Sequence, residues 1–181
     1  MNQMKRSLCA LLSALMLLAM LAGCGKKQET DEPFVLGVSV CGAIDSLDPA
    51  MNTDTDADSI FYALYENLMR MSDDGSGEAV LGNGVAKEYT EETNYDGTVT
   101  YRFTLRSSSR WSDGQKVTAD DFVYAWPRLA DPAAASPNHS LMSVVAGYDE
   151  VRETGDRTKL QVSAEDESTF VVTLSAPCAY F

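Results

Sequence analysis

The stretch VTYRFTLRSSSRWSDGQKVTADDFVYAW, residues 99–126, carries a strand, a turn and the start of a helix in one run. Val99, Tyr101, Phe103 and Leu105 alternate with Thr100, Arg102 and Thr104. A period of two places the apolar set on one face and predicts a half-buried antiparallel strand. Asp113-Gly114 supplies a turn. Thr118 then reads as an N-cap, with Asp121 three residues on completing a capping box. Ala119, Phe122, Val123, Trp126 and Leu129 form the helix's apolar stripe. Asp113, Asp120 and Asp121 invite an acid/base or metal reading, but turn formation and complementarity to the helix dipole account for all three. Trp111, Phe122, Tyr124 and Trp126 are read as packing rather than a ligand platform. Pro127 removes one helix hydrogen bond and crowds the carbonyl of Val123, at a cost of about 3 kcal/mol in a helix interior, so the helix is predicted to kink or stop near Trp126.

Working outward, Asp96-Gly97 predicts a tight turn that pairs the strand with the segment before it. Ile60, Phe61, Leu64, Tyr65 and Leu68 recur at helical spacing over about 56–69, and DDGSG at 73–77 then reverses the chain. FVLGVSV at 34–40 and STFVVTL at 168–174 read as strands, and a further helix is expected over about 139–152. The order of elements is α+β or α/β, without internal repeat.

The chain has 14 basic and 27 acidic residues, a net charge of −13, and no basic cluster beyond its N-terminal region. Such a surface repels nucleic acid, and the acids are spread as on a solvated face. A Ser/His/acid hydrolase would need the single histidine, His139, as its base, and no G-x-S-x-G accompanies any serine. Asp54, Asp56 and Asp58 suggest a calcium loop, yet positions six and twelve counted from Asp54 are Ser59 and Tyr65 rather than glycine and glutamate. An acid-rich helix N-terminus accounts for them better. No metal site, cofactor or Gly-rich phosphate loop is expected.

At the N-terminus, Lys5 and Arg6 precede an apolar run from Leu8 to Leu21, too short to span a bilayer comfortably. Leu21-Ala22-Gly23-Cys24 resembles the lipobox of bacterial lipoproteins, which implies cleavage before Cys24, lipidation of its thiol, and a signal peptide over 1–23 followed by a polar tether over 24–33. Cys9 leaves with the signal, so Cys41 and Cys178 remain. They either bridge, as exported thiols do, or stay as small apolar residues.

With Ser46-Leu47-Asp48-Pro49, YENLMR at 65–70, WSDG at 111–114, VTADDFVYAW at 117–126, DPAAASPN at 131–138 and STFVVTLSAPCAYF at 168–181, the chain resembles the extracellular solute-binding proteins of peptide ABC importers, family 5, the oligopeptide-binding type above all. The resemblance implies a longer protein with a periplasmic-binding-protein-like fold, two α/β lobes closing on a ligand and an extra domain inserted in the first. On that pattern 34–48 supplies the first strand of lobe one, 49–177 the inserted domain and 178–181 the start of the return to lobe one, while the second lobe is absent. The expected function is a non-catalytic, lipid-anchored, extracytoplasmic receptor, acting as a monomer, that binds oligopeptides and passes them to membrane permease subunits. The alternatives are a truncated relic that binds nothing, or a binder of another solute such as a nickel chelate, haem or a sugar oligomer. Asn52, Thr53, Asp54 and Thr55 match the stretch that pairs with the peptide backbone in such proteins. Asn138 matches a usually aromatic position that faces the ligand. With half the cleft missing, the chain by itself is expected to show no measurable peptide affinity.

Overall fold

In the computed structural model of the chain, the described residues are Gln3, Val35, 37–39 and 41–181. The chain divides into two compact units, Met1–Ser39 and Val40–Phe181. In the first, Val35 and 37–39 are exposed and irregular. The strand expected over 34–40 otherwise lies outside the described residues, as do the signal segment apart from Gln3, Cys24 and the whole tether.

In the second unit a 3-10 turn at Pro49–Met51 leads to α1 (Thr55–Leu64) and a hairpin of β1 (Met69–Asp73) and β2 (Ala79–Asn83). There follow β3 (Ala86–Thr93), β4 (Val99–Leu105), α2 (Ala119–Ala130), α3 (Tyr148–Thr154), β5 (Val162–Asp166) and β6 (Thr169–Leu174). The last four strands form one antiparallel sheet in the order β3-β4-β6-β5.

The alternation of β4 sets the sheet's two faces. Val99, Tyr101, Phe103 and Leu105 are buried, and across the register Val99 meets Leu174, Tyr101 meets Val172 and Phe103 meets Phe170. On the other face Arg102 bonds Glu92 at 3.2 Å and approaches Glu165 at 3.4 Å. The turn expected at Asp96-Gly97 closes the β3–β4 hairpin, with Gly97 at φ 85°. α2 lies against the buried face, where Phe122 and Trp126 pack their rings 5.4 and 5.0 Å from Phe170. Its capping box is formed by Thr118 and Asp121, the carboxylate accepting from the Thr118 N–H at 2.8 Å.

Three expectations are corrected. Of the kink or stop expected near Trp126, the stop is not met: α2 continues through Pro127 to Ala130. Proline deletes only the bond toward Val123, whereas its own carbonyl accepts from the Asp131 N–H at 3.0 Å. The last turn is further held by Arg128 on Asp48 and by Arg152 on the Ala130 carbonyl at 3.1 Å.

The helix expected over 56–69 ends at Leu64. Beyond it the carbonyls of Asn67 and Leu68 accept from the backbone N–H groups of Gly84, Val85 and Ala86 at 2.7–3.2 Å, pairing that an α-helix cannot offer. Glycine is required at 84, because a Cβ there would lie 2.1 Å from the Asn67 carbonyl oxygen.

The helix expected over 139–152 is broken into a 3-10 turn at His139–Met142 and α3. Between them Val145 bridges Leu174, and Ala146 donates to the Thr173 carbonyl and accepts from the Gln161 N–H, both at 2.9 Å. Gly147 at φ 83° turns the chain, and its Cα passes so close to Lys159 that a Cβ would meet the carbonyl oxygen at 1.9 Å.

β1, β2 and β5 were not among the expected strands. The DDGSG turn does reverse the chain, but between two strands, with the Asp73 carboxylate accepting from the Gly75 and Gly77 N–H groups at 2.7 and 3.2 Å.

Candidate functional site

The segment Ser46 to Thr55 forms a strap ending at the first turn of α1. Asp54 is the N-cap, accepting from the Asp56 N–H at 2.8 Å, so the alternating acids at 54, 56 and 58 serve a helix start. Asn52 uses both ends of its amide: Oδ1 accepts from the Asp54 N–H at 2.9 Å and Nδ2 donates to Asp58 at 2.6 Å. Thr53 and Thr55 are exposed, while Asn52 and Asp54 are half-buried. Among the described residues, nothing hydrogen-bonds the backbone N–H or carbonyl of Thr53.

The body of the domain reaches this strap from far along the chain. Arg128, in the last turn of α2, makes a two-pronged contact with the Asp48 carboxylate, one prong at 3.2 Å. The Ser136 hydroxyl donates to the Ala50 carbonyl and accepts from the Asn138 N–H at 3.1 Å. The Asn138 side-chain amide donates to the Asn52 carbonyl at 2.7 Å. Two residues expected separately at the ligand, Asn52 and Asn138, are thus brought together, but Asn138 spends its amide on the strap.

Beneath these ties the support is buried. Asp131 is 5% exposed and Ser136 3%. The Asp131 carboxylate caps the 3-10 turn Pro132–Ala134 by accepting from the Ala133 N–H at 2.8 Å and holds Arg157 at 2.6 Å. The Ala133 N–H, then the Arg157 guanidinium, hold this carboxyl below the usual carboxylate range. Asp48 is lowered in the same sense, chiefly by its hydrogen bond from Arg128, against a smaller opposing effect of burial. Charge-assisted, two-pronged contacts of this kind are shorter and stronger than neutral hydrogen bonds.

A second feature is a hollow of about 830 Å³ on the part of the buried sheet face nearest β3. Tyr89, Tyr101, Phe103, Trp126 and Phe181 line it, with Glu66 and Glu91 among its polar groups. Burial, then the Glu91 carboxylate, raises the Tyr101 phenol above its ordinary pKa. Of the four aromatics read as packing, Phe122 and Trp126 pack on Phe170 and also edge this hollow. Trp111 and Tyr124 do not pack: they are 45% and 68% exposed, though the Trp111 indole N–H donates to Asp121 at 3.3 Å.

Cys41 is exposed and Cys178 half-buried on the wall of the hollow; both are free thiols. His139 accepts from or donates to the Tyr148 hydroxyl at 2.6 Å through Nδ1, which ties the 3-10 turn to α3. Sequence reasoning missed Arg128, Ser136 and the hollow. The strap's partners lie 80 to 86 residues away, and no spacing rule reaches so far.

Comparison with known proteins places this architecture. The family model described as bacterial extracellular solute-binding proteins, family 5 Middle, matches residues 81–181. The periplasmic oligopeptide-binding protein OppA of Escherichia coli is 40% identical over 142 residues, 76% of this chain and 24% of that protein. A dipeptide-binding protein of Lactococcus lactis is 32% identical over 162 residues, 89% of this chain and 28% of that protein. Among solved structures, Haemophilus influenzae OppA in complex with RPPGFSPFR superposes with a TM-score of 0.64 at 36% identity, over 75% of this chain and 26% of that one. The chain thus spans about a quarter of the length of the curated relatives it matches.

The class these similarities define is that of bacterial extracellular binding proteins, with a mixed helix and sheet fold of the OppA type. Within it, the chain belongs to the bacterial extracellular solute-binding proteins, family 5.

Proposed function

We propose that this chain is part of a lipid-anchored, extracytoplasmic receptor that binds oligopeptides and delivers them to the permease of an ABC importer, and that the strap 52–55 contributes one edge of the peptide cleft. The observation that carries the reading is Thr53, exposed on a fixed strap with its backbone donor and acceptor both open among the described residues. An extended peptide offers the complementary pair, and backbone pairing recognises extended shape without selecting side chains. Similarity to proteins named for oligopeptide binding, one of them solved with RPPGFSPFR, supports this choice of solute.

In this reading residues 1–23 are a signal peptide, Cys24 bears the lipid and 24–33 is the tether. Residues 34–48 open lobe one, 49–177 form its inserted domain and 178–181 turn back toward it. The receptor acts as a monomer, and hydrolysis of nucleotide is left to a separate subunit.

Calorimetry tests the reading. The product of the complete genomic reading frame is titrated with a mixture of tripeptides to pentapeptides. Binding at micromolar concentration is expected, weakened at least tenfold by Thr53→Pro, which deletes one backbone donor. Asn52 already has the extended conformation, φ −73° and ψ 131°, that a following proline demands. A full-length product that binds no peptide, or a Thr53→Pro variant that binds as well as the wild type, refutes the assignment.

A further inference from the structure

We propose that Arg128, Ser136 and Asn138 are positioning residues which clamp the strap at Asp48, Ala50 and Asn52 and so fix the pose in which Thr53 and Thr55 are presented; the role in presentation rests on the peptide-binding reading, the clamp itself does not. Three observations carry it. Every second residue of the strap from Asp48 to Asn52 is held, and each holder comes from the stretch 128–138, so one rigid piece of the body sets three points at once. Each tie uses a different chemistry: a guanidinium on a carboxylate, a hydroxyl on a carbonyl, and an amide on a carbonyl.

The third observation is that the ties are linked into one network. The Ser136 hydroxyl both donates to Ala50 and accepts from the Asn138 N–H, so displacing it disturbs two ties. From Asn138 the chain of bonds runs through the Asn52 carbonyl and then, from the Asn52 side chain, to the Asp54 N–H and the Asp58 carboxylate. Asp54 in turn caps α1. The order of the N-terminus of α1 is therefore coupled to side chains whose own bonds to the strap stop at Asp48, Ala50 and Asn52. On the body side the Ser136 hydroxyl of the network is buried, and Asp131, in the same stretch, is buried and pinned by Arg157. A clamp of this build resists motion of the strap without needing apolar cover, and among the described residues of the strap and its helix only Ala57 is buried.

Amide hydrogen exchange on the full chain tests the clamp without any ligand. In Asn138→Ala the amides of Asp54, Asp56 and Asp58 should exchange about tenfold faster, the effect of losing one hydrogen bond with a well-placed partner, while those of β4 keep their rates. Arg128→Asp should do the same, and the double variant Asp48→Arg with Arg128→Asp should recover most of the lost protection. Unchanged exchange at 54–58 in both single variants overturns the clamp. Equal acceleration in β4, or no recovery in the swapped pair, reduces these residues to general scaffolding and overturns it too. Should Asn138→Ala fail to fold, Asp48→Asn supplies the same measurement from the strap's side. Presentation is judged separately in the full-length product: clamp variants should weaken peptide affinity about tenfold, and loss of protection at 54–58 with unchanged affinity overturns that part. A full-length wild type that binds no peptide refutes the peptide reading and leaves the exchange result to decide the clamp.

Discussion

Phe170→Ala should be the most damaging single truncation in the domain. Phe170 is fully buried near the start of β6, opposite Phe103 in the register, with the rings of Trp126, Phe122 and Phe103 centred 5.0, 5.4 and 6.4 Å away. A buried phenylalanine removes about 150–250 Å² from water, worth roughly 4–6 kcal/mol at about 25 cal/mol per Å². Alanine keeps a little of that area, and the unfolded chain already hides some of it. The cavity left among three rings adds a cost, because Phe122 and Trp126 are held by α2 and Phe103 by β4, and they cannot collapse fully. The expected loss is about 4 kcal/mol, within the range of about 3–5 kcal/mol for such changes. That is a large share of a total of about 5–15 kcal/mol, and should lower Tm by about 10 °C or more. Urea unfolding followed by far-ultraviolet circular dichroism measures it, with an unchanged m-value showing that the denatured state is unaltered. Tyr124→Ala, 68% exposed on the helix that covers the sheet, is the companion variant and should stay within about 0.5 kcal/mol of the wild type. A loss below about 1 kcal/mol for Phe170→Ala, or an equal loss for both, would refute this account of the core.

Gly147→Ala should destabilise by more than the roughly 1–2 kcal/mol of left-handed strain, because the new Cβ would also press on the Lys159 carbonyl at 1.9 Å; a denaturation midpoint like that of the wild type contradicts the close approach. Arg157→Ala removes a partner from the buried Asp131 carboxylate while the Ala133 N–H remains, so a loss of about 1–3 kcal/mol is expected, and Arg157→Lys should recover part of it. The Asp48 carboxyl is held below its ordinary pKa of about 3.9 by Arg128, the charged group facing it from α2. A depressed folded pKa adds stability above the unfolded value and loses it as pH falls through the lowered one. Asp48→Asn should therefore be less stable than the wild type at pH 7, with the gap closing below about pH 4; a gap constant down to about pH 2 excludes the ion pair as its source.

Local patterns were legible wherever chemistry and geometry lie within one turn or one strand. The alternation over 99–105, the Asp96-Gly97 turn, the Thr118/Asp121 capping box and the strand at 169–174 all stand where their residues imply. Each is decided by neighbours two to four positions away, so the chain needs no distant partner to specify it. The motifs within and around that stretch also identified the family.

Tertiary structure decided the rest, and always for the same reason. Ile60 to Leu68 has helical spacing throughout, yet Asn67 and Leu68 leave the helix because their carbonyls serve 84–86. The segment at 143–147 leaves the helical path because it meets β6 and Gln161, and Pro127 stays within its helix because Asp48 and Arg152 hold the turn that follows it. The candidate site follows the same division. Asn52 to Thr55 and Asn138 could be picked out by position, but that Asn138 grips the Asn52 carbonyl and leaves Thr53 open depends on contacts across 86 residues. Periodicity and capping act along the chain; hydrogen-bond partners at that distance are chosen only when the sheet and α2 bring 128–138 beside the strap.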